Sequence, residues 1–554
     1  MSSMAYNSAS GLGGMLKQGT RHFSQEDDPF SASVVLRNIE ACLQLSRMLS
    51  SSLGPQGRCK LVENHLGKLM VTSDCASILK EVDVEHPAAQ LLAGACQKQE
   101  EECGDNTNTV LAVAGELLWQ TSLLIQKMTW QPAPEILAGY KRAMFLIETV
   151  YLPAAVCDTV TNLHDKAQLL KILTPVLASK QYGSEIVLAP LVADACLAVM
   201  QPSGAVNVDA VRTVKILGSS VAASTLMEGY VAVRPVETVV TAVGNAKIAV
   251  YACGFEASST EAKGTVLMKT ADDLKNYNRS EEVKMADIVE SIAASGVKVV
   301  VTGGNLSDMA LHFLDRNGLM CLKVGSKWEL RRICQAVNAT ALVRLGPPTP
   351  DEMGFCETVK QQEMGSRTVT VFQNKESKLA TVILRASTTS VLNDLERAVD
   401  DGVQVVAAAA VDGRVVYGGG ATEMALSVAL QKEADKVPGL EQYALAAFGR
   451  ALEVIPRTLA ENAGWNATRV LADLQAAHAT CPDGEVCQAG VDIERDSGKD
   501  GAVAGSGTAS MKDKGVVDLL ATKLSALRLA VDAAMTILKV DQIIMSKQSG
   551  GPKA

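Results

Sequence analysis

The sequence EECGDNTNTVLAVAGELL, residues 101–118, decides how the rest of the chain is interpreted. One acid, two asparagines and two threonines, residues 105–109, stand between Gly104 and an apolar run with helical spacing. The first backbone N–H groups of a helix lack internal partners and carry a positive partial charge, so such an end binds phosphate. Asp105 would then hold Mg²⁺ against the phosphate oxygens. The alternative is an ordinary N-cap, and the local sequence alone favours the cap.

The size and charge of the chain exclude several classes of protein. With 554 residues it is too long for a single core, so two to four domains are expected. A net charge of -9 and a pI near 5.4 disfavour nucleic-acid binding. No signal peptide and no apolar run of the ~18 residues that span a bilayer are present, which predicts a cytoplasmic protein without a membrane partner. The thirteen cysteines form no CxxC pair and the six histidines are scattered, so a zinc site is not expected.

The order of patterns along the chain predicts a multidomain fold with α and α/β parts. Helical spacing dominates up to about residue 200 and again from about 388 to 545, while short β-branched runs alternate with helical patterns between them. This arrangement indicates a sheet-rich insertion, with the first and last thirds of the chain folding together. We expect residues 1–33 to be a loose arm, residues 494–515 a mobile surface loop, and the tail from residue 548 to be disordered.

Three further segments have the composition of ligand-binding loops. They are a glycine-rich loop at residues 52–57, an acid just past a short strand at Asp74, and three glycines before a helix at residues 418–420. Each has an ordinary structural alternative, because Gly54 can end a helix, Asp74 can cap one and the three glycines can form a turn. Spacing alone does not bring the segments together.

Five motifs follow one another along the chain: LGPQG at 53–57, TSD at 72–74, GDNTNT at 104–109, SKQYG at 179–183 and GGGATE at 418–423. Longer stretches such as SKWELRRICQAVNATAL and LERAVDDGV accompany them. In this order they resemble the motifs of the group II chaperonins, and in particular subunits of the eukaryotic cytosolic chaperonin TRiC/CCT. The resemblance covers essentially the whole chain.

The resemblance implies the group II chaperonin fold, which has three domains. A helical equatorial domain would comprise residues 1–150 and 410–554. A small intermediate domain would comprise residues 151–217 and 376–409. An α/β apical domain, residues 218–375, would bind substrates and carry a helical lid protrusion at about 253–280.

The resemblance also implies a site for ATP or ADP with Mg²⁺. Asp105 would be the metal ligand, and Asp74 and Asp401 would position and activate the water that attacks the γ-phosphate. Asp400 is the competing assignment for Asp401, and both acids could instead lie on a solvated helix face. The residues implied in nucleotide binding are Leu53, Gly54, Asn106, Thr107, Asn108, Thr109, Ala178, Ser179, Lys180, Gly419, Asp518 and Lys523.

The implied function is that of an ATP-dependent molecular chaperone subunit. ATP binding and hydrolysis would close the lid of a hetero-oligomeric double ring of paralogous subunits, in which proteins such as actin and tubulin fold. A metabolic kinase is disfavoured because the chain has no GxxxxGK[ST] motif. Residues 327–339 would form a helix with Trp328, Leu330, Ile333 and Val337. Its exposed side would bind clients, or the helix would simply pack on its own sheet.

Two departures from the family motifs support a second function. Asn106 stands where a glycine is usual, and Cys75 stands where glycine or alanine is usual. If position 106 needs a positive φ, asparagine is the least costly replacement, although its side chain could crowd the phosphates. The alternative is therefore a mainly structural ring subunit that binds nucleotide with little or no hydrolysis.

Overall fold

The computed structural model of the chain forms two compact units. The first contains the described residues up to Ala189 and from Arg397 onward, and the second is Pro190–Glu396. Residues 1–31 of the predicted amino-terminal arm, the carboxy-terminal tail and residues 257–269 of the predicted lid protrusion lie outside the described residues. Those described are 32–64, 67, 69–127, 133–256, 270–374, 377–482, 486–494, 496–497, 503–504 and 507–543.

The amino-terminal part of the first unit is mainly helical, and its helix ends follow local sequence signals. The helix before the motif at 104–109 has His86 as N-cap and Pro87 in its first turn, and it ends at Gly104 with a φ of 70°. In chain order the elements are α1 (Ala32–Ser50), β1 (Lys60–Glu63), β2 (Leu69–Thr72), α2 (Cys75–Glu81), α3 (Pro87–Cys103), α4 (Thr107–Lys127), α5 (Ala133–Leu146), a π-helical turn (Ile147–Tyr151), α6 (Leu152–Ala154), β3 (Val156–Thr159), α7 (Lys166–Lys180) and α8 (Glu185–Val199).

The second unit is built on one nine-stranded mixed sheet. Its elements are β4 (Val211–Leu217), β5 (Thr225–Ala232), β6 (Ala242–Tyr251), α9 (Ala271–Ala294), β7 (Val297–Thr302), α10 (Asp308–Arg316), β8 (Met320–Lys323), α11 (Lys327–Val337), β9 (Ala341–Leu342), β10 (Gly354–Met364), β11 (Arg367–Gln373), β12 (Ala380–Ala386) and the start of α12 (Thr389–Val411), whose residues from Arg397 onward belong to the first unit. The strand order is β4-β12-β5-β11-β10-β6-β7-β8, and β9 pairs with β6. The β-branched runs of the sequence at 214–218, 246–253, 297–304, 368–372 and 381–387 overlap five of these strands, whereas strands such as β5 and β10 were not predicted.

Helix α11 packs on the sheet of its own unit. Leu330, Ile333 and Val337 are buried in the core that includes β5, β6 and β10. Trp328 is different, because 68% of its surface is exposed. Of the four apolar residues considered for client binding on this helix, only Trp328 is therefore accessible in this unit.

The carboxy-terminal part of the first unit is less helical than the sequence pattern predicts. Short strands interrupt the helices, and the last helix ends at Leu538 rather than near residue 545. The elements are β13 (Arg414–Tyr417), α13 (Ala421–Ala434), α14 (Glu441–Leu452), α15 (Val454–Asn462), α16 (Ala467–Thr480), β14 (Ala489–Val491), β15 (Asp496–Ser497), β16 (Val503–Ala504), β17 (Thr508–Ser510), α17 (Met511–Lys514), β18 (Val517–Leu519) and α18 (Leu520–Leu538).

The segment predicted as a surface loop, residues 494–515, contains regular structure where it is described. Strand β17 pairs with β14, and β15 pairs with β16, both antiparallel. A second small sheet has the order β18-β13-β3 and joins the two parts of the first unit. Backbone pairing over short spans leaves little side-chain periodicity, which is why the pattern did not reveal these strands.

The two parts of the first unit share one apolar core. Leu92 and Leu117 come from the amino-terminal part, and Phe448 and Leu527 come from the carboxy-terminal part. The rings of Tyr140 and Phe448 meet edge to face, with centroids 5.7 Å apart, an arrangement that adds about 0.5–1.5 kcal/mol to the burial of area. The two ends of the chain are therefore one folding unit.

The predicted mixture of helical and α/β content is confirmed. The specific three-domain layout stays a prediction, because the structure separates only two units. Within the described residues, no helix has both the length and the apolar character needed to cross a membrane.

Candidate functional site

The turn between α3 and α4 depends on two residues with left-handed backbone conformation. A Cβ at Gly104 would lie 2.3 Å from the Gln404 side-chain oxygen, so the position has no room for a larger residue. Asn106 has a φ of 66°, and its carbonyl accepts the N–H of Val110 at 3.2 Å. Asparagine tolerates this conformation better than most residues. The condition considered from sequence, a positive φ at position 106, is met.

The start of α4 has the groups that an anion site needs. The Asn106 side-chain oxygen accepts from the Thr109 hydroxyl at 3.3 Å, and the Asn108 amide donates to the carbonyl of Ser52 at 3.3 Å. Among the described residues, no hydrogen bond is donated by the backbone N–H of Thr107 or Asn108. Asn106 acts in the cap through its carbonyl, and N–H groups of the first turn stay available for a ligand.

One cavity of about 330 Å³ lies in the first unit next to this helix end. Every residue that the sequence analysis assigns to the nucleotide or the metal lines it. These residues are Leu53, Gly54, Asp105, Asn106, Thr107, Asn108, Thr109, Ala178, Ser179, Lys180, Gly419, Asp518 and Lys523. Their roles stay predictions, but their shared location shows that five separate segments of the chain form one pocket.

Two glycines let the backbone approach the cavity closely. Gly54 has a φ of 82°, and a Cβ there would lie 2.4 Å from a methyl carbon of Leu459. Gly419 has a φ of 62°, and a Cβ there would lie 2.5 Å from the sulfur of Met511. A side chain at either position would be strained by the left-handed backbone and would displace Leu459 or Met511, so glycine suits both loops best.

Lys180 lines the cavity and joins the two predicted catalytic acids, Asp74 and Asp401, which are not themselves in the lining. Its Nζ lies 3.3 Å from Asp74 Oδ1 and 2.9 Å from Asp401 Oδ2. The carboxylate of Asp74 also accepts the N–H of Ser77 at 3.0 Å, so Asp74 both caps α2 and pairs with Lys180. Asp401 has 3% of its side chain exposed, whereas the neighbouring Asp400 is exposed. The solvated-face alternative is therefore wrong for Asp401.

Burial and mutual attraction shift the protonation equilibria of this cluster. Burial alone would raise the pKa of Asp74, but Lys180 and the hydrogen bonds from Ser77 hold that pKa at about 2. Burial would lower the pKa of Lys180, yet the surrounding carboxylates, Asp401 first, raise it well above its usual value. For Asp401 burial dominates and raises the pKa despite Lys180. Asp74 is thus ionised at neutral pH, and Asp401 is the better proton acceptor once it is ionised.

Glu100 is a third acid of this cluster that sequence reasoning missed. It lies on α3, and burial raises its pKa to about 7, an effect that Lys180 opposes and Asp74 strengthens. Its Oε2 is buried and makes no hydrogen bond to a described residue. Three consecutive glutamates precede the motif, and nothing in the sequence distinguishes the one that faces the site.

The other predicted contacts, Asp518 and Lys523, belong to a buried ion-pair chain. Lys523 Nζ lies 3.0 Å from Asp518 Oδ2 and forms a second ion pair with Glu423. Lys523 is 5% exposed and Glu423 is 3% exposed, and Glu423 also lines the cavity. Asp518 is placed by β18, where it pairs with Val416 of β13 directly before the three glycines.

The rim of the cavity contains polar residues that the sequence analysis did not assign. Lys514 Nζ lies 2.5 Å from Glu494 and 3.7 Å from Asp492, and all three line the cavity together with Tyr182. Glu494 and Lys514 come from the segment that was predicted as a loop, and they follow the strands β14 and β17, which pair with each other.

The residues at the helix end fit Mg²⁺ bound together with phosphate. Within the described part of the chain, no group of three His, Cys, Asp or Glu side chains converges as a metal cage. Mg²⁺ is usually held by one or two carboxylates plus substrate phosphates, and Asp105 supplies such a carboxylate beside the first turn of α4.

Comparison with known proteins agrees with the resemblance seen in the motifs. The model of the TCP-1/cpn60 chaperonin family matches residues 45–548. T-complex protein 1 subunit theta of Homo sapiens is 43% identical over 98% of this chain and 96% of its own length. The proteins of the same name from Dictyostelium discoideum and Arabidopsis thaliana are each 40% identical over 98% of this chain, and they are covered over 98% and 96% of their lengths.

Proposed function

Because the chain belongs to the TCP-1/cpn60 chaperonin family, we propose that it is a chaperone subunit that binds and hydrolyses ATP in this cavity. The observation that carries the proposal is the meeting of Asp74, Lys180 and Asp401 beside a cavity that receives the amino-terminal end of α4. A helix end attracts phosphate, and paired acids activate water.

The phosphates of ATP would lie against the first turn of α4. The N–H groups of Thr107 and Asn108 and the hydroxyl groups of the two threonines would donate to phosphate oxygens. Asp105 would hold Mg²⁺, which supplies neutralising positive charge on the phosphates. Gly419 and Gly54 would let the backbone contact the nucleotide closely, and Asp518 would accept hydrogen bonds from ribose hydroxyl groups.

The two acids at Lys180 would perform the hydrolysis. A water oxygen bonds to the γ-phosphorus, the bond from that phosphorus to the β,γ-bridging oxygen breaks, and ADP leaves. Asp401 accepts the proton that the water loses, while the ionised Asp74 orients the water. Lys180 fixes both carboxylates and offers positive charge as the phosphoryl group transfers.

The assembly and the clients follow from the relatives. The name of the relatives, T-complex protein 1 subunit, supports a hetero-oligomeric complex with paralogous subunits, for which we propose a double ring in the cytoplasm. Hydrolysis would drive closure of a lid over non-native proteins such as actin and tubulin. The three-domain layout, with residues 218–375 as the client-binding domain, belongs to the same proposal.

The test is single-turnover hydrolysis of ATP by the full chain and by its Asp401→Ala variant, with ADP affinity measured on both. We expect hydrolysis to fall by about 100-fold or more, the contribution of a general base, while ADP affinity stays unchanged. Asp400→Ala is the matched control, because that neighbouring acid is exposed. Equal hydrolysis by Asp401→Ala and the unmodified chain would refute the assignment.

One observation supports the alternative of a mainly structural ring subunit. The Asn106 amide nitrogen lies 3.4 Å from Asp105 Oδ2, so a side chain that glycine would lack stands beside the proposed metal ligand. The nucleotide bound to this subunit after the purified complex is incubated with ATP separates the two functions. ADP supports hydrolysis, and unchanged ATP supports the structural function.

A further inference from the structure

Helix α12 contacts the catalytic cluster through two residues one turn apart. Asp401 meets Lys180, and Arg397, four positions earlier on the same face, donates from Nη1 to the hydroxyl oxygen of Thr72 at 3.1 Å. Thr72 is the last residue of β2, two positions before Asp74. One face of the helix therefore holds one catalytic acid and contacts the strand that leads to the other.

The hydroxyl group of Thr72 connects the guanidinium group of Arg397 to the backbone of Asp74. Its oxygen also accepts the N–H of Asp74 at 3.1 Å, and Thr72 is 1% exposed. A second guanidinium nitrogen of Arg397 lies 3.5 Å from the sulfur of Met70, on the same strand. The planar guanidinium group thus spans the end of β2 and restricts both its position and its direction.

We propose that Arg397 is a positioning residue for ATP hydrolysis. It fixes the distance between the turn of α12 that contains Asp401 and the segment after β2 that contains Asp74. This inference rests on the proposed function of the cavity. Two acids that share one water need a fixed separation, and a misplacement of about 1 Å far from the chemistry can cost about 100-fold in rate. Arg397 is absent from the lining of the cavity, as are Asp74 and Asp401, so its replacement leaves the residues assigned to the nucleotide unchanged.

The first experiment compares binding with hydrolysis in the full chain. We expect Arg397→Gln to lower the single-turnover rate by about 10- to 100-fold, because the contact that fixes the distance between the two acids is lost. The dissociation constant of ADP is expected to stay within about twofold of the unmodified value, a change below 0.5 kcal/mol. A loss of affinity that equals the loss of rate would show a general structural role and overturn the proposal.

The second experiment tests whether Arg397 acts through Thr72. Thr72→Val removes the hydroxyl group, while Thr72→Ser keeps it and is the matched control. If the two residues act as one unit, the double variant Arg397→Gln/Thr72→Val hydrolyses no more slowly than the slower single variant. Rate losses that multiply would overturn the proposed link, as would a Thr72→Ser variant as slow as Thr72→Val.

The third experiment gives a readout that does not depend on activity. Hydrogen exchange of the backbone amides of residues 73–79 and 402–408 is expected to accelerate in Arg397→Gln and Thr72→Val and to stay unchanged in Thr72→Ser. Arg397→Lys, which keeps the charge without the planar fork, provides a second variant should Arg397→Gln fail to fold, and it is expected to give an intermediate rate. Unchanged exchange in a folded Arg397 variant would overturn the proposal.

These readouts distinguish a failure of the proposed function from a failure of the positioning role of Arg397. If the unmodified chain shows no hydrolysis that depends on Asp401, the proposed function fails, and accelerated exchange at both segments would still support the positioning contact. If hydrolysis depends on Asp401 but not on Arg397, the proposed function stands and the positioning role is wrong.

Discussion

Lys180 Nζ lies within 3.3 Å of Asp74 and 2.9 Å of Asp401, although these acids are far apart in sequence and on different elements. The side chains of Lys180, Asp74 and Asp401 are 15%, 6% and 3% exposed, so their mutual attraction is weakly screened. The ammonium group of Lys180 is therefore the shared counter-charge of both carboxylates.

Replacement of Lys180 by methionine should damage both stability and hydrolysis. The variant leaves two buried carboxylates without their counter-charge, and breaking a buried ion pair costs about 3–5 kcal/mol. Denaturant unfolding of the full chain measures this loss. Lys171→Met is the matched control, since Lys171 is on the same helix in an exposed pair with Asp158, and we expect it to cost less than about 1 kcal/mol. A Lys180→Met variant as stable as Lys171→Met would contradict the central role of the ammonium group.

The partly buried acid Glu100 should make stability depend on pH near neutrality. Its pKa rises from the ordinary value of 4.5 to about 7 in the folded chain. The protonated form is favoured by folding, so its stabilising contribution is complete below about pH 4.5 and is lost as the pH rises through about 7. Relative to Glu100→Gln, the unmodified chain should lose up to about 3 kcal/mol between pH 5 and pH 8.

Unfolding free energies of both proteins at several pH values measure this difference. Glu101→Gln is the control, because Glu101 is exposed and pairs with Lys98 only at the surface. A constant difference between Glu100→Gln and the unmodified chain across this range would show that Glu100 is not a buried titrating group.

Glycine at position 106 should improve nucleotide binding. Asn106→Gly removes the amide group that lies 3.4 Å from Asp105 Oδ2 and relieves a left-handed conformation that costs about 1 kcal/mol in most residues. We expect tighter binding of Mg²⁺ and ADP, measured by titration calorimetry. Asn338→Gly makes the same change at a left-handed position of the second unit and should leave affinity unchanged. Weaker binding by Asn106→Gly would show instead that the amide group contributes to the site.

Removal of the ammonium group of Lys523 should destabilise the first unit. Lys523→Met leaves Glu423 and Asp518 facing each other in a buried region, with an expected cost of about 3–5 kcal/mol. The melting temperature of the full chain measures the effect. Lys539→Met, an exposed lysine just beyond the same helix, should not change it. If Lys523→Met and Lys539→Met had the same melting temperature, the ion pairs of Lys523 would not be needed for the stability of the first unit.

Local signals predicted the parts of the site that depend on nearby residues. The glycines at 418–420 lie directly before a helix, and Asn106, which was considered as a replacement for glycine at a positive φ, has that conformation. The resemblance to a family then supplied the roles of distant residues such as Asp401 and Asp518, which no local pattern reveals.

The remaining features depend on contacts between distant segments. Arg397 and Thr72 are 325 positions apart, and neither has a neighbour that indicates the other. Glu100 is one of three adjacent glutamates, and only packing selects the one that becomes buried in part. Strands β14 and β17 are three residues long, too short for alternation to be recognised.

The most direct test of the central claim is a structure of the assembled complex with ADP, aluminium fluoride and Mg²⁺, solved by electron microscopy. We predict nucleotide in the cavity of this subunit, with the fluoride group between the first turn of α4 and the acids Asp74 and Asp401, and Mg²⁺ at Asp105. Nucleotide bound elsewhere on this chain, or an empty cavity here beside occupied neighbouring subunits, would contradict the account.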